Sequence, residues 1–458
     1  MDDGFIVSPL GAPLVGSGTV PGDKSISHRA VLFAAMAEGV SHVEGVLDSA
    51  DVRSSIGAVS LLGANVLLDP QEDGSLAGTI EGWGARGPQP EREDPGFSLF
   101  GGDDDEEDDF VIDCGNSGTT TRLLMGILAP WECAVTLTGD ESLQTRPMKR
   151  ITGPLSAMGA TFNPEDRHTL PLNVQGSEHL MPLDFQSPVA SAQLKSAILL
   201  AGIFAEGTTR VEEPAPSRNH TELMLGGFGV EVDHGPGWAE ITGPQAVEAC
   251  DVKVPGDPSS AAFPLCAAVM KEGSDLTVEG VSLNSGRIGF VDVLRRMGAD
   301  VAVTQEQMTG GEPCGSIRAR HTSALSAVEV AADEIASMVD EIPVLALVAA
   351  RAQGETVFRG VSELRVKECD RLAAIIEGLG MIGVRAWAQD DDLHIEGNPD
   401  LAFDKPLSFE SHHDHRLAMT WALVGMTGSA PVEISDFECV NISYPTFLDD
   451  MRTFSAFE

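Results

Sequence analysis

Basic residues stand repeatedly at the polar starts of apolar runs in this sequence. Lys24 and Arg29 open the run DKSISHRAVLFAAM, and Arg416 opens DHRLAMTWALV. A helix start offers free N–H groups and the positive end of the helix dipole, and a guanidinium matches the geometry of carboxylates and phosphates. The pattern therefore predicts binding sites for small polyanions. The basic residues at run starts, or on the helices that follow them, are Lys24, Arg29, Arg53, Arg122, Arg146, Arg150, Lys195, Arg218, Lys367, Arg371 and Arg416.

Each of these motifs, taken alone, has a simpler interpretation. DKSISHR and DHR also fit helix caps, and RPMKR and SRNH also fit solvated helix faces. In VKECDR, Lys367 and Arg371 are four residues apart, which fits ordinary helical ion pairing. GNSGT, which begins at Gly115, lacks the GxxxxGK[ST] pattern of a nucleotide P-loop. Their recurrence at equivalent positions of a repeat favours a functional role.

The repeat consists of a polar cluster, an apolar run of helical length, a glycine and a valine-rich strand. Its six copies begin at Asp23, Gly115, Ser191, Gly256, Asp340 and Asp414. The runs are apolar on nearly all sides, which is typical of buried helices. Because six such helices cannot all pack on one open sheet, we predict an α/β fold with two lobes, each an inside-out α/β barrel of three repeated units.

A phrase that occurs twice predicts where the chain crosses between lobes. VPGD occurs at 20–23 and again at 254–257. We interpret the two copies as crossovers, so that residues 23–253 form lobe II and residues 1–22 with 254–458 form lobe I. Between Glu81 and Asp109 the sequence has eleven acids and two bases. We predict a disordered acidic insertion at about 84–109, with an acidic metal-binding tract as the alternative.

The charge of the chain excludes several classes of partner. Its 458 residues include 29 Lys and Arg against 70 Asp and Glu, a net charge of −41. Nucleic-acid binding needs a basic face, so we expect no nucleic-acid partner, and an anionic membrane surface is disfavoured for the same reason. High solubility or a saline habitat would each account for the surplus of acids.

The cellular location is predicted from the apolar runs and the cysteines. No run reaches the roughly 18 apolar residues of a membrane span, and the first residues are acidic where a secretory signal is basic. The seven cysteines form no CxxC pair and mostly lie in apolar segments. Reduced thiols are therefore favoured over the alternatives of disulfides or a zinc site. We expect a cytoplasmic protein.

Seven motifs, in order along nearly the whole chain, resemble those of the 5-enolpyruvylshikimate-3-phosphate (EPSP) synthase family. They are PGDKSISHRA, DCGNSGTTTRLL, QTRPM, SAQLKSAILL, DEIPVLAL, ELRVKECDR and DHRLAM. The resemblance implies transfer of the enolpyruvyl group of phosphoenolpyruvate to the 5-hydroxyl of shikimate 3-phosphate, with release of phosphate. This step belongs to the shikimate pathway, which leads to aromatic amino acids. The resemblance also implies a monomer that needs no metal and no organic cofactor.

The same resemblance implies a role for each residue that matches a family motif. The phosphoenolpyruvate site consists of Lys24, Asn116, Gly118, Arg146, Gln193, Arg371 and Arg416. The shikimate 3-phosphate site consists of Lys24, Ser25, Arg29, Ser191, Gln193, Ser217, Asp340 and Lys367. The catalytic residues are Asp340, Lys367, Glu368 and Lys24.

The chemistry of the reaction explains the catalytic set. The acceptor hydroxyl must lose a proton as it attacks C2 of phosphoenolpyruvate, while C3 must gain one. This requires an acid and a base held in unlike protonation states. We expect Asp340, at a helix start, to act on the hydroxyl, and Lys367, beside Arg371, to exchange protons at neutral pH, while the resemblance places Glu368 in the same proton-transfer group.

Several residues depart from the family pattern. Ala192 stands where a second serine is common, and we expect Lys195 to supply the missing phosphate contact. Ile442 replaces a lysine ligand of some members, and Glu363 replaces an asparagine. Gly118 leaves room for the herbicide glyphosate, an analogue of phosphoenolpyruvate, so we expect glyphosate to inhibit the enzyme.

Two other functions are open at this point. One is enolpyruvyl transfer to UDP-N-acetylglucosamine, which shares the fold and the donor but requires a nucleotide-sugar site. The other is a catalytically inactive anion-binding protein that keeps both lobes. The presence of Asp340, Lys367 and Glu368 disfavours the inactive protein.

Overall fold

The apolar runs that follow polar residues are helices in the structure, a computed structural model that describes residues 4–90 and 110–455. The described residues form thirteen α-helices, none long and apolar enough to cross a membrane. They are α1 (Lys24–Met36), α2 (Ala50–Leu61), α3 (Gly118–Leu128), α4 (Glu141–Thr145), α5 (Lys149–Met158), α6 (Ala192–Gly202), α7 (His220–Gly227), α8 (Pro258–Met270), α9 (Gly289–Arg296), α10 (Ile342–Ala349), α11 (Arg371–Met381), α12 (His415–Thr427) and α13 (Phe447–Phe454).

The strands of the described residues form six separate sheets. They are β1 (Phe5–Val7), β2 (Val15–Gly18), β3 (Val40–Leu47), β4 (Asn65–Pro70), β5 (Ser75–Glu81), β6 (Val111–Asp113), β7 (Ala134–Thr138), β8 (Thr161–Asn163), β9 (Leu172–Gln175), β10 (Asp184–Gln186), β11 (Gly207–Glu212), β12 (Val232–Gly235), β13 (Trp238–Gly243), β14 (Val252–Lys253), β15 (Asp275–Ser282), β16 (Asp300–Thr309), β17 (Glu312–Arg320), β18 (Leu325–Ser326), β19 (Glu329–Val330), β20 (Ala352–Phe358), β21 (Arg385–Gln389), β22 (Asp392–Gly397), β23 (Leu407–Phe409) and β24 (Val432–Ile434). The sheet orders are β1-β24-β23, β16-β17-β15-β2, β18-β20-β22-β21 with β19 beside β20, β14-β3-β5-β4, β6-β7-β9-β8 and β10-β11-β13-β12.

Six of the helices are buried along nearly their whole length, and each contacts strands of one sheet. These central helices are α1, α3, α6, α8, α10 and α12. Four of them begin at a side chain that accepts hydrogen bonds from the first turn, namely Ser117, Ser191, Asp257 and Asp414. These caps satisfy N–H groups that would otherwise be unpaired at a buried helix start. The polar clusters of the sequence are therefore the N-termini of the central helices.

The chain divides into two compact units. Unit 1 comprises residues 1–23, 255–308 and 312–458, and unit 2 comprises residues 24–254 and 309–311. Unit 1 contains the core around α8, α10 and α12, and unit 2 contains the core around α1, α3 and α6. In unit 2, α3 contacts both α1 and α6, and in unit 1 the three central helices contact one another.

The α/β class agrees with the sequence prediction. The six sheets have three to five strands each, and all are open within the described residues. No sheet of the described residues closes on itself to form a barrel. The physical reason is that each short sheet covers one central helix, so the helices fill each unit and no sheet needs to close on itself.

The first residues of the predicted acidic insertion have a defined structure. Gly84–Arg86 forms one turn of 3-10 helix, and the Gln89 N–H donates to the carbonyl oxygen of Leu62 at 2.8 Å. These contacts tie the chain to unit 2 as far as Pro90. The prediction of disorder from about 84 is therefore wrong for residues 84–90, and the rest of the predicted insertion, 91–109, lies outside the described residues.

The two VPGD segments pair with each other in unit 1. Gly22 and Gly256 form an antiparallel bridge, and the Asp23 N–H donates to the carbonyl oxygen of Pro255 at 2.8 Å. The chain leaves unit 1 after the first segment and re-enters it at the second. The two copies of VPGD are thus hydrogen-bonded to each other where the chain leaves unit 1 and where it returns.

One buried arginine neutralises both aspartates of the repeated phrase. The Arg287 guanidinium donates to Asp23 Oδ2 at 2.6 Å and to Asp257 Oδ1 at 2.7 Å, and also to the Ser259 hydroxyl at 3.0 Å. All three charged side chains are less than 5% exposed. Buried carboxylates need such a partner because an uncompensated charge is costly inside a protein.

Candidate active site

In unit 2, the start of α1 presents two predicted ligands, and a third lies deeper. Lys24 and Ser25 are half-buried, and Lys24 Nζ lies 3.1 Å from Asp51 Oδ2. Arg29 is only 3% exposed, and its Nε and Nη2 donate to the hydroxyls of Thr221 and Ser196. The structure therefore places Lys24 and Ser25 at an accessible helix start. Arg29 is buried one turn further along α1, where it is hydrogen-bonded to the side chains of α6 and α7.

The start of α3 holds Arg146 through a polar chain. Arg146 Nη2 donates to Asn116 Oδ1 at 2.7 Å, and Asn116 Nδ2 donates to Asp140 Oδ2 at 2.6 Å. Gly118 is the first residue of α3 and is buried. An added Cβ at Gly118 would lie 2.8 Å from Nη1 of Arg122 and 3.5 Å from Nη1 of Arg146. Gly118 thus allows two guanidinium groups to approach the backbone at a helix start.

Arg122 connects the starts of α3 and α6. Its Nη1 donates to Gln193 Oε1 at 2.6 Å, which leaves Gln193 Nε2 to donate to the Thr119 hydroxyl at 3.0 Å. Burial, and then repulsion by Arg150 and Arg146, lowers the pKa of Arg122 to about 10. Even so, Arg122 is cationic at neutral pH. An anionic ligand beside these three arginines would be stabilised electrostatically.

Glu213 organises the start of α6, a role that the sequence did not indicate. Its carboxylate accepts hydrogen bonds from the Ser191 N–H and from the Ser217 hydroxyl, both at 2.7 Å. Ser191 and Ser217, both predicted ligands, are thereby brought together. A glutamate after a strand carries no signal in a single sequence that would distinguish it from a surface residue.

Lys195 does not have the role expected from its sequence position. Its Nζ lies 2.9 Å from Glu213 Oε2 and 2.8 Å from Glu222 Oε1, and its side chain is 4% exposed. Two carboxylates neutralise this buried ammonium, so it is not available as a phosphate contact. The prediction that Lys195 replaces the hydroxyl missing at Ala192 is wrong.

In unit 1, Arg371 is the centre of a cluster of three carboxylates. Nε donates to Asp414 at 2.6 Å, Nη1 to Asp340 at 3.1 Å and Nη2 to Glu368 at 2.6 Å. Arg371 is 1% exposed. Burial opposes its charge, but the three carboxylates outweigh burial and raise its pKa. These bonds use three of the five N–H groups of the guanidinium.

Two more of the predicted catalytic residues lie at this cluster, Lys367 beside it and Glu368 within it. Lys367 Nζ lies 2.7 Å from Glu363 Oε1 and 4.0 Å from Asp340 Oδ1. Burial opposes the charge of Glu368, but Arg371 and His415 outweigh it and lower its pKa well below that of an ordinary glutamate. Glu368 is therefore ionised at neutral pH.

Arg416 differs from Arg371 in how its donors are used. It lies in the first turn of α12 and is 7% exposed. Among the described residues, the one carboxylate within 4.0 Å of its guanidinium is Glu341, with Nη1 and Oε1 separated by 3.9 Å. Its buried Nε has no hydrogen-bond partner. Arg416 therefore retains donors for an anionic ligand.

Each unit has its own cluster of polar and charged side chains. Unit 2 presents Lys24, Arg122 and Arg146 at helix starts, with serine and amide groups beside them. Unit 1 presents a carboxylate and an ammonium 4.0 Å apart, beside arginines. Within residues 4–90 and 110–455, no group of three or more His, Cys, Asp or Glu is arranged to hold a metal ion.

Comparisons with known proteins agree on one family. A profile described as EPSP synthase (3-phosphoshikimate 1-carboxyvinyltransferase) matches residues 10–85 and 100–451. The 3-phosphoshikimate 1-carboxyvinyltransferase of Acidiphilium cryptum is 44% identical over 97% of this chain and 95% of the relative. The EPSP synthase structure from Acinetobacter baumannii is 36% identical with a TM-score of 0.86, covering 98% of this chain and 97% of that one. The enolpyruvyl transferase NikO from Streptomyces tendae, at 18% identity and a TM-score of 0.75, covers 99% of this chain and 98% of its own and shares the fold.

Proposed function

The chain belongs to the EPSP synthase family, and from this we propose how its two residue clusters divide the work of the family reaction. The chain is a 1-carboxyvinyltransferase that joins the enolpyruvyl group of phosphoenolpyruvate to shikimate 3-phosphate and releases phosphate. The acceptor oxygen is the 5-hydroxyl. The reaction proceeds by addition and then elimination through a tetrahedral intermediate.

In the addition step, Asp340 accepts the proton of the 5-hydroxyl as its oxygen attacks C2 of phosphoenolpyruvate. Lys367 donates a proton to C3, so the double bond is consumed and C2 becomes tetrahedral. This assignment is supported by the 4.0 Å separation of Lys367 Nζ and Asp340 Oδ1, which lets both groups act at adjacent atoms. General acid–base catalysis of this kind contributes about 10² to 10⁴-fold to a rate.

In the elimination step, C3 loses a proton as the bond between C2 and the phosphate oxygen breaks. Glu368, which is ionised at neutral pH, accepts this proton. Phosphate leaves and the enol ether remains. The arginines stabilise the charge that develops on the departing phosphate. The observation that carries the proposal is the convergence of Asp340 and Glu368 on the Arg371 guanidinium.

Substrate binding is assigned to both units. Shikimate 3-phosphate contacts Lys24, Ser25, Ser191, Gln193, Ser217, Asp340 and Lys367, and Arg29 acts by supporting the start of α1. Phosphoenolpyruvate contacts Lys24, Asn116, Gly118, Arg146, Gln193, Arg371 and Arg416. Lys24 stands in both sets and acts catalytically by neutralising both substrates. The polar chains that join Arg146 to Asn116 and Ser217 to Glu213 support this assignment, because they hold the ligands in place before the substrates arrive.

The finer architecture is part of the same proposal. Six α/β units, three to a lobe, make up the fold, with 1–22 and 254–458 as one lobe and 23–253 as the other. The six sheets with one central helix each support this division. The enzyme acts as a monomer in the cytoplasm, where phosphoenolpyruvate is made. Sedimentation equilibrium of the full chain tests the monomer, and a mass of about twice the chain mass would contradict it.

Replacing Gly118 by alanine should weaken phosphoenolpyruvate and glyphosate together. The added methyl group would displace the Arg122 guanidinium, 2.8 Å away, and then crowd Arg146. We expect the KM for phosphoenolpyruvate to rise about tenfold, since one charge-assisted contact is weakened. We expect millimolar glyphosate to inhibit the natural enzyme strongly and the variant weakly, measured by phosphate release.

A matched control exists in the same unit. Gly153 lies on the exposed face of α5, and an added Cβ there would have no neighbour within 4 Å. The Gly153→Ala enzyme should keep the natural KM and the natural glyphosate inhibition. Full activity of the natural enzyme in millimolar glyphosate, or an unchanged KM in Gly118→Ala, would refute this account of Gly118.

A further inference from the structure

Glu341 is a buried carboxylate to which the reaction as described gives no role. It directly follows Asp340 and immediately precedes α10, and it is 1% exposed. Neither oxygen forms a hydrogen bond of ordinary geometry with the described residues, although the Ser259 hydroxyl is close enough to act on its charge. Buried carboxylates are normally hydrogen-bonded, because desolvation is costly. A buried carboxylate without hydrogen bonds is therefore a candidate for a functional role.

The charged and titratable groups near Glu341 lie on several different segments of unit 1. Arg416 on α12 lies 3.9 Å away, and Arg287 and Asp340 also act on its charge. Burial, and then the nearby charge of Glu341, raises the pKa of the Cys266 thiol on α8. Arg287 is engaged by Asp23 and Asp257, so its charge is already balanced. The cation that depends on Glu341 is therefore Arg416.

Arg416 has little else to fix its guanidinium. Asp414, two residues before it, uses Oδ1 to accept the backbone N–H of Arg416 and Oδ2 to accept Nε of Arg371. Asp414 therefore holds the helix start and Arg371 and does not bind the Arg416 side chain. Glu341 attracts the guanidinium from 3.9 Å, which is longer than a hydrogen bond. At this distance the charge of Glu341 can orient Arg416 without occupying its donors.

We propose that Glu341 is a positioning residue that orients the Arg416 guanidinium toward bound phosphoenolpyruvate. This inference rests on the proposed function, in which Arg416 contacts phosphoenolpyruvate. Ionised Glu341 holds the guanidinium in place, and a neutral side chain at 341 releases it. The affinity for phosphoenolpyruvate therefore depends on Glu341, whereas the affinity for shikimate 3-phosphate does not.

The direction of the pH effect follows from the surroundings of Glu341. Burial, reinforced by Asp340, raises the pKa of Glu341 above that of an ordinary glutamate. As the pH falls through that raised value, Glu341 gains a proton and the hold on Arg416 is lost. The KM for phosphoenolpyruvate of the natural enzyme should therefore rise toward acid pH by more than it does in a variant that cannot ionise at 341.

The test measures both KM values by phosphate release in Glu341→Gln, Glu341→Asp and the natural enzyme, between about pH 5 and about pH 9. We expect Glu341→Gln to raise the KM for phosphoenolpyruvate about tenfold and to leave the KM for shikimate 3-phosphate within about twofold. Glu341→Asp should recover part of the loss because it keeps the charge. Glu279→Gln, an exposed position on β15, is the matched control and should behave as the natural enzyme.

Several outcomes would overturn the proposal. They are an unchanged KM for phosphoenolpyruvate in Glu341→Gln, an equal rise of both KM values with a lowered Tm, and the same pH dependence in the variant and the natural enzyme. If Glu341→Gln fails to fold, Glu341→Asp decides alone, because its shorter side chain should raise only the KM for phosphoenolpyruvate. Failure of the proposed function is distinguishable, since the natural enzyme would then release no phosphate.

Discussion

Replacing Asp340 by alanine is expected to lower kcat by about 10² to 10⁴-fold, because the acceptor hydroxyl loses its base. Binding of shikimate 3-phosphate should weaken but stay measurable, because the substrate loses one contact and keeps the others. Asp340 is one of three carboxylates on Arg371, and Glu368 and Asp414 still neutralise that guanidinium in the variant. We therefore expect a folded protein with a Tm near the natural value. Steady-state phosphate release measures kcat, and titration calorimetry with shikimate 3-phosphate measures binding.

The control for this variant is Asp333→Ala. Asp333 is an exposed aspartate seven positions before Asp340, and its loss should change kcat by less than about twofold. A fall of less than tenfold in Asp340→Ala would show that Asp340 is not the base. A large fall accompanied by loss of shikimate 3-phosphate binding would assign Asp340 to binding instead.

Replacing Arg287 by methionine should destabilise the protein by about 3–5 kcal/mol, the cost of leaving buried carboxylates without their cation. Asp23 and Asp257 are nearly inaccessible to solvent, so water cannot compensate them. For a unit of this size the loss corresponds to a Tm lower by roughly 10 °C. Differential scanning calorimetry and urea unfolding measure it.

Two comparisons show whether the loss comes from the buried charges. Arg296→Met removes a partly exposed pair with Glu334 at 2.8 Å, on the helix that follows Arg287, and should cost less than about 1 kcal/mol. Adding Asp23→Asn and Asp257→Asn to Arg287→Met should restore part of the stability, because the uncompensated charges are then gone. Equal losses for Arg287→Met and Arg296→Met would contradict this account of the buried cluster.

The helix starts of the site were predictable from the sequence, since their signals are local. An apolar run of helical length behind a capping residue such as Ser117, Ser191 or Asp414 identifies a buried helix and its N-terminus together. The basic residue placed there follows from the same stretch of sequence. Those positions carry most of the proposed ligands. The α/β class follows from the alternation of these helices with valine-rich strands.

The electrostatic partners were not predictable, because they come from distant parts of the chain. Lys195 is neutralised by Glu213 and Glu222, which lie beyond the next strand, and nothing near Lys195 indicates this. Arg287 is 264 residues from Asp23, although the two are joined at 2.6 Å. A single sequence contains no record of such pairings.

The central claim is that shikimate 3-phosphate is the acceptor of the enolpyruvyl group. The most direct measurement is phosphate release by the purified natural enzyme from phosphoenolpyruvate, once with shikimate 3-phosphate and once with UDP-N-acetylglucosamine. We predict stoichiometric release with shikimate 3-phosphate and none above background with the nucleotide sugar. Release with UDP-N-acetylglucosamine alone, or with neither acceptor, would contradict the account.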